Sequence, residues 1–269
     1  MPAGGLVTTF HGLCDQFLKS KGLRPDYANW ASVFDQVTGE AVTNEWKFDT
    51  LIVDEGQDFE QEWVEILSLF LRGEPDILWL EDPDQNVYDR TPVTLPGFVG
   101  YRARVNYRTP HSIARAVQER TSVTFEIGNP LPGLGVGVTQ CGDPADQPGH
   151  VARIIDALLR RGFAHGEIVV LTMRGRKHSV FSERERVGNF TLRRFNDEYD
   201  LFGNQVLTPG QITFDSVRRF KGQQAPVVIL VDVEGDSGRH GTTERLLYTG
   251  LTRATVRVEL LVCAKASAL

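Results

Sequence analysis

Two neighbouring carboxylates, Asp54 and Glu55, close an uninterrupted apolar run, Thr50-Leu51-Ile52-Val53. A strand that delivers two acids to its carboxyl end can divide their labour. One holds Mg²⁺, usually through water, and the next orients or deprotonates an attacking water. An apolar strand followed by Asp-Glu also describes an ordinary solvated strand end. The Gln57-Asp58 that follows narrows the reading toward chemistry on a phosphoryl group. A second run, Ile77-Leu78-Trp79-Leu80, ends in the same way on Glu81-Asp82.

The elements that must position these residues can be read from apolar periodicity. Besides the two runs above, Glu167 to Thr172, Val227 to Val231 and Val256 to Val262 read as strands. Such short continuous runs suit parallel strands covered on both faces. Helical spacing alternates with them over Gln61 to Arg72, Val151 to Arg161 and Thr243 to Ala254. The alternation predicts an α/β fold with parallel sheets, whose ligands lie beyond the carboxyl ends of the strands. A domain boundary is expected within residues 92–100, and the Gly/Pro-rich stretch Gly128 to Gly149 reads as a loop or poorly ordered excursion.

The 269 residues suffice for two domains, and 41% hydrophobic with 24% charged residues is an ordinary globular balance. No apolar stretch is long enough to span a membrane, and the N-terminus lacks a signal-peptide pattern. Cys14, Cys141 and Cys263 lie far apart in sequence, so neither a metal site nor a disulfide is expected, and a cytoplasmic location fits. The net charge of −6 is unevenly spread. Residues 1–98 hold 6 Lys/Arg and 18 Asp/Glu, whereas residues 99–269 hold 23 and 17. The second half is therefore better suited to phosphates, although the two halves could equally attract each other.

Six ordered segments carry a resemblance. Asp54-Glu55-Gly56-Gln57-Asp58 resembles motif II of UvrD/Rep-like superfamily 1 DNA helicases, and Thr8 to Leu13 resembles their Thr-Phe-His segment. Leu80 to Tyr88 resembles motif III, and Asn106-Tyr107-Arg108-Thr109-Pro110 resembles motif IV. Ser216 to Gln224 resembles motif V, and Leu247 to Ala254 resembles motif VI. The resemblance implies two RecA-like parallel-sheet domains of the P-loop NTPase kind, residues 1–97 and 98–269, with the first incomplete. It implies ATP and Mg²⁺ as cofactors and single-stranded DNA as partner. Asp54 would hold Mg²⁺, Glu55 would position the water, and Gln85 would sense the γ-phosphate. Arg108 and Arg253 would supply a fixed fork of donors to the transferred phosphoryl. Gln57, Asp82, Lys221, Gly222 and Gln224 would line the nucleotide. Phe10, His11, Tyr88, Arg90, Arg218 and Arg219 would lie along the DNA path. A further Arg-rich stretch from Arg174 to Arg194 matches no motif and reads more readily as a solvated face than as a phosphate track.

The departures are specific. No Gly-Lys dipeptide occurs anywhere, so the phosphate-binding loop is missing. Gln224 stands where the family usually has Glu, and Arg218 where it has His. The short spacing between motifs leaves no room for large inserted subdomains. The expectation is a motor-core fragment of an ATP-dependent helicase or translocase, inactive alone unless an upstream segment or partner supplies the loop. The rival is a degenerate, non-catalytic module that binds DNA or a protein. A parallel sheet lacking a strand would also leave apolar surface bare, so self-association or marginal stability is expected for residues 1–97.

Overall fold

The protein is described by a computed structural model over residues 5–199, 205–234 and 241–263. Its contacts divide the chain into two units, Met1–Val99 and Gly100–Leu269.

In the first unit, Thr9 starts α1 (Phe10–Ser20) by accepting the Gly12 N–H at 3.0 Å on its hydroxyl. The helical repeat then buries Phe10, Leu13, Cys14, Phe17 and Leu18 together. Asn29 caps α2 (Trp30–Gly39) in the same way, accepting from Ser32 N at 3.2 Å. Next come β1 (Phe48–Val53), α3 (Gln61–Ser68) and β2 (Leu71–Trp79). The helix expected to reach Arg72 stops at Ser68, because the chain turns at Phe70 and enters β2, where Gly73 and Pro75 disfavour helix. β1 and β2 pair in parallel, with Leu51 opposite Ile77, Ile52 opposite Leu78 and Val53 opposite Trp79.

Side chains alternate across a strand, so the pair has two faces. One carries Leu51, Val53 and Trp79 into a core shared with all three helices. Continuous apolar runs suit strands covered on both faces, but the other face is open. Ile52 is 64% exposed, Leu78 51%, and Leu80 just beyond the strand 44%. The described residues supply helices to one face only.

The second unit opens with β3 (Val105–Asn106), α4 (His111–Arg120) and β4 (Glu126–Ile127), where β3 and β4 form a short parallel pair. Then follow β5 (Val136–Cys141), α5 (Gln147–Arg160), β6 (Ile168–Thr172), β7 (Arg186–Val187) and β8 (Phe190–Arg193). A hairpin of β9 (Phe195–Tyr199) and β10 (Gln205–Leu207) leads to β11 (Ile212–Ser216) and β12 (Ala225–Glu234). The described part of the unit ends with α6 (Thr242–Leu251) and β13 (Ala254–Cys263). Seven strands form one sheet in the order β5-β13-β12-β6-β11-β8-β7, parallel except for β7 against β8. β6 is buried at every position, as its unbroken apolar run requires. Val151, Ile155 and Leu158 of α5 meet Val170, Phe214, Ile229 and Leu261 from four of the strands in the core.

Three expectations are corrected here. The stretch 128–149 is not simply a loop, since it holds β5 and the start of α5. Pairing with β13 overrides its Gly/Pro-rich composition. Gly137, opposite Glu259, leaves the space that the Glu259 carboxylate occupies in its ion pair with Arg257 at 2.6 Å. The final helix ends at Leu251, and Ala254 already begins β13. Finally, Cys141 and Cys263, far apart in sequence, are register partners on β5 and β13 and form a disulfide.

Candidate functional site

The sequence-derived site residues fall into two clusters, one in each unit. In the first, parallel pairing brings the carboxyl ends of β1 and β2 side by side. The chain leaves β1 through Asp54, exposed, whose Oδ1 accepts the Glu55 N–H at 2.9 Å. Glu55 adopts a left-handed backbone conformation (φ 57°), uncommon for a residue other than glycine or asparagine. Gly56 follows directly beneath the Trp79 indole, leaving no room for a β-carbon, and its N–H donates to Leu80 O at 2.8 Å. The turn at the end of β1 is thereby clamped to the end of β2.

Four polar residues then form a continuous chain of hydrogen bonds. Gln57 Nε2 donates to Glu55 Oε2 at 2.6 Å, and Gln57 Oε1 accepts the Asp82 N–H at 2.9 Å. Asp82 Oδ2 accepts from Gln85 Nε2 at 2.7 Å, while its Oδ1 accepts the Asp84 N–H at 3.1 Å. Gln57 and Gln85 are buried, which makes such bonds strong and costly to lose. A single amide, Gln57, thus links the acid after β1 to the loop after β2.

The loop continues through Asn86, which closes it by accepting Arg90 N at 2.9 Å and donating to Arg90 O at 2.7 Å. Tyr88 lies near its tip, 49% exposed. Arg90 turns back onto α3, where it pairs with Glu60 and lies 4.8 Å over the Trp63 ring. Phe10 is buried and stacked on Trp63 at 4.9 Å, so its faces are taken up by the core. His11 is wedged edge-on against Trp30 (4.3 Å) and Trp63 (4.8 Å). Burial, and secondarily the nearby Arg90 charge, hold the His11 imidazole below its ordinary pKa.

The second cluster lies in unit 2. Asn106 forms an Asx turn, accepting the N–H groups of Arg108 (3.0 Å) and Thr109 (2.9 Å), and Asn129 donates to Arg108 O at 3.0 Å. The Arg108 backbone is therefore fixed. Its guanidinium meets Gln224, whose amide oxygen accepts from Nε at 2.5 Å and Nη2 at 2.9 Å. Tyr107 beside it is 72% exposed and offers a flat apolar surface. The roles of Asn106 and Tyr107 were not singled out from the sequence, although an Asn two residues before an Arg in a turn is a readable signal.

Arg219 lies 4.2 Å over Phe195 of the hairpin, 3.4 Å from Asp215 Oδ1, and donates to Gln205 Oε1 at 2.9 Å. Burial pushes the Asp215 carboxyl above its usual range, against the pull of a hydrogen bond from Ser216 N and of the Arg219 and Arg176 charges. Arg218 and Lys221 are half-buried in the turn after β11, and Gly222 (φ 79°) takes a conformation that favours glycine. Arg253 is 1% exposed, with Nε donating to Thr249 O at 3.1 Å and Nη2 to Thr252 Oγ1 at 3.4 Å.

The Arg-rich stretch without a motif is tied down rather than merely solvated. Arg194 donates to the carbonyls of Phe181, Ser182 and Arg184, Arg193 to Thr213 Oγ1, and Arg176 to Asp197 at 2.6 Å. Burial lowers the Arg194 pKa.

Residues 211–261 match the UvrD-like helicase C-terminal domain family. This part of the chain is similar to UvrD-like helicase C-terminal domains. The match holds Arg218, Arg219, Lys221, Gly222, Gln224 and Arg253, running from β11 almost to the end of β13. Among solved structures, the C-terminal domain of a possible DNA helicase from Lactobacillus plantarum WCFS1 is similar over 58% of this chain and 87% of its own, with 16% identity and a TM-score of 0.39. No curated protein sequence matches. No helix among the described residues is long and apolar enough to cross a membrane.

Proposed function

We propose that this chain is the motor-core portion of a UvrD-like, ATP-driven translocase or helicase on single-stranded DNA. Its hydrolytic residues await a phosphate-binding loop, which an upstream segment or a partner would supply. The two units would be RecA-like domains. The observation that carries the reading is the hydrogen-bonded chain Glu55–Gln57–Asp82–Gln85. It holds an acid and an amide at adjoining strand ends, where open α/β sheets receive ligands.

The donor set fits a hydrated Mg²⁺. Asp54 is exposed and one of its oxygens is already engaged by its neighbour's N–H. No group of three or more His, Cys, Asp or Glu able to hold a metal occurs among the described residues. A single carboxylate, with water and substrate oxygens completing the octahedron, is the usual Mg²⁺ arrangement. Bound there, the ion would neutralise charge on the phosphoryl oxygens. Glu55, held by Gln57, would orient the attacking water, and Gln85 would report on the phosphoryl group through Asp82. In the second unit, Arg108, its side chain steadied by Gln224, would offer a charge-assisted fork to a phosphoryl group. The exposed Tyr107 ring would receive a base. The sequence holds no Gly-x-x-x-x-Gly-Lys phosphate loop, since no Gly-Lys dipeptide is present.

The test is Mg²⁺-ATP hydrolysis with and without single-stranded DNA. The chain alone should show no turnover. Fusion to a strand-loop-helix bearing Gly-x-x-x-x-Gly-Lys-Thr should restore DNA-stimulated turnover, and Glu55→Gln in that fusion should lower it by about 100-fold or more. Turnover by the unfused chain that Glu55→Gln abolishes would refute the need for the loop. A fusion that binds ATP but ignores Glu55→Gln would refute the role of Glu55. One observation favours a second reading, a non-catalytic module that docks on a protein: the open apolar face of Ile52, Leu78 and Leu80.

A further inference from the structure

Cys141 and Cys263 are separated by 122 residues, yet they sit opposite each other at the carboxyl ends of β5 and β13, with Cα atoms 4.7 Å apart. Their position matters for three reasons. Among the described residues β5 is an edge strand held by β13 alone, so it can peel away without breaking any other described pairing in the sheet. The chain beyond Cys141 leads within six residues to Gln147, whose amide binds both the backbone N–H and the carboxylate of buried Asp232. Cys263 is also the register partner of Glu234, the last described residue of β12 before the chain reaches α6. A bond at this point fastens the sheet edge beside the UvrD-like segment. The remaining cysteine cannot compete. Cys14 is buried in the other unit's core, where burial pushes its thiol up to about 12.

We propose that Cys141 and Cys263 form a reversible thiol–disulfide latch, which locks the β5 edge to β13 when oxidised and frees it when reduced. A small-molecule disulfide is the oxidant. One cysteine thiolate attacks it, forming a mixed disulfide and releasing one thiolate of the small molecule. The second cysteine thiolate then attacks the protein-bound sulfur and expels the other. The two cysteines lose two protons and two electrons, and the small disulfide is reduced to two thiols. Both cysteines are buried, so exchange proceeds through opening of the edge, and opening and redox state are coupled.

The experiment equilibrates the whole chain in buffers of varied reduced-to-oxidised glutathione ratio, quenches with acid, unfolds it and alkylates it. Intact mass then counts free thiols. The latch predicts a single transition from three alkylated cysteines to one, Cys14. Hydrogen exchange at residues 136–141 should be about tenfold or more faster in the reduced form, with β6 and β12 unchanged. Cys141→Ser and Cys263→Ser, with two cysteines each, should show the fast β5 exchange of the reduced wild type under every buffer, which separates loss of the bond from loss of the fold. Three free thiols at every ratio would overturn the proposal. So would one free thiol even in the most reducing buffer, or identical β5 exchange in the two forms.

Discussion

Asp232 shows how a single residue can govern the ends of several elements. It is 5% exposed, left-handed (φ 58°), and lies where the β12–β13 register shifts between Leu230 and Val233. That local strain is offset by four hydrogen bonds. Its carboxylate accepts from Thr172 Oγ1 and Ser179 Oγ at 2.6 Å each and from Gln147 Nε2 at 3.1 Å, and its N–H donates to Gln147 Oε1 at 2.8 Å. Asp232→Ala would strand two hydroxyls and an amide in the interior, at a cost of about 2–4 kcal/mol. Asp232→Asn tolerates the left-handed backbone and keeps one acceptor oxygen, so its cost should be about half that. Hydrogen exchange of β6 and β12 amides checks both values, and equal protection in all three proteins would show the cluster to be dispensable. Nothing in the sequence pointed to this residue. Gln147, Thr172, Ser179 and Asp232 become neighbours only through the strand order. By contrast, the acids after β1 and β2 were legible, because a parallel sheet places the carboxyl ends of paired strands together.

At the scale of elements, legibility followed burial. β1, β6, β12 and β13 announce themselves as continuous apolar runs, whereas β5 is masked by its Gly/Pro-rich surroundings and by Gly137, which leaves room for Glu259. α1 was overlooked as an element, since its first residues had been read as a motif, although Thr9 and the Phe10, Leu13, Cys14, Phe17 spacing state a capped amphipathic helix. Through His11, this helix should make the stability of the helical layer depend on pH. It inserts His11 between Trp30 of α2 and Trp63 of α3, where the imidazole pKa is lowered from 6.5. A base whose pKa is depressed by folding takes up its proton more readily when unfolded. The stability this neutral form provides is therefore present above pH 6.5 and declines as pH falls toward the lower folded value. All four tryptophans, Trp30, Trp46, Trp63 and Trp79, lie in the first unit, so tryptophan fluorescence reports its unfolding alone. Urea midpoints followed this way should drop between about pH 7 and pH 5.5, before most carboxylates titrate, and the drop should flatten in His11→Gln. A midpoint with equal pH dependence in both proteins would assign the sensitivity elsewhere.

For the whole molecule, the decisive feature is what the first unit leaves uncovered. Its helices pack on one face of β1 and β2, and the other face shows Ile52, Leu78 and Leu80 to water. Among the described residues both strands also have an unpaired edge, a standing invitation to further pairing. Sequence reasoning expected bare apolar surface here on the ground of resemblance, but it could not say which side chains would be bare, since that depends on the register of β1 against β2. Burying three such aliphatic side chains in a partner would contribute about 3–5 kcal/mol before the cost of association, enough for weak self-association. The 18 acids among the first 98 residues oppose it by mutual repulsion, so it should strengthen as salt rises, the opposite of what an ion-paired dimer would do. Sedimentation equilibrium at low and high salt should show a concentration-dependent increase in mass that is larger at high salt. Ile52→Thr with Leu78→Thr should reduce it, because threonine keeps the β-propensity of the strands while removing most of their apolar surface. A wild-type chain that stays monomeric at every concentration and salt would show that the open face does not drive association, and would leave the protein-docking reading without its support.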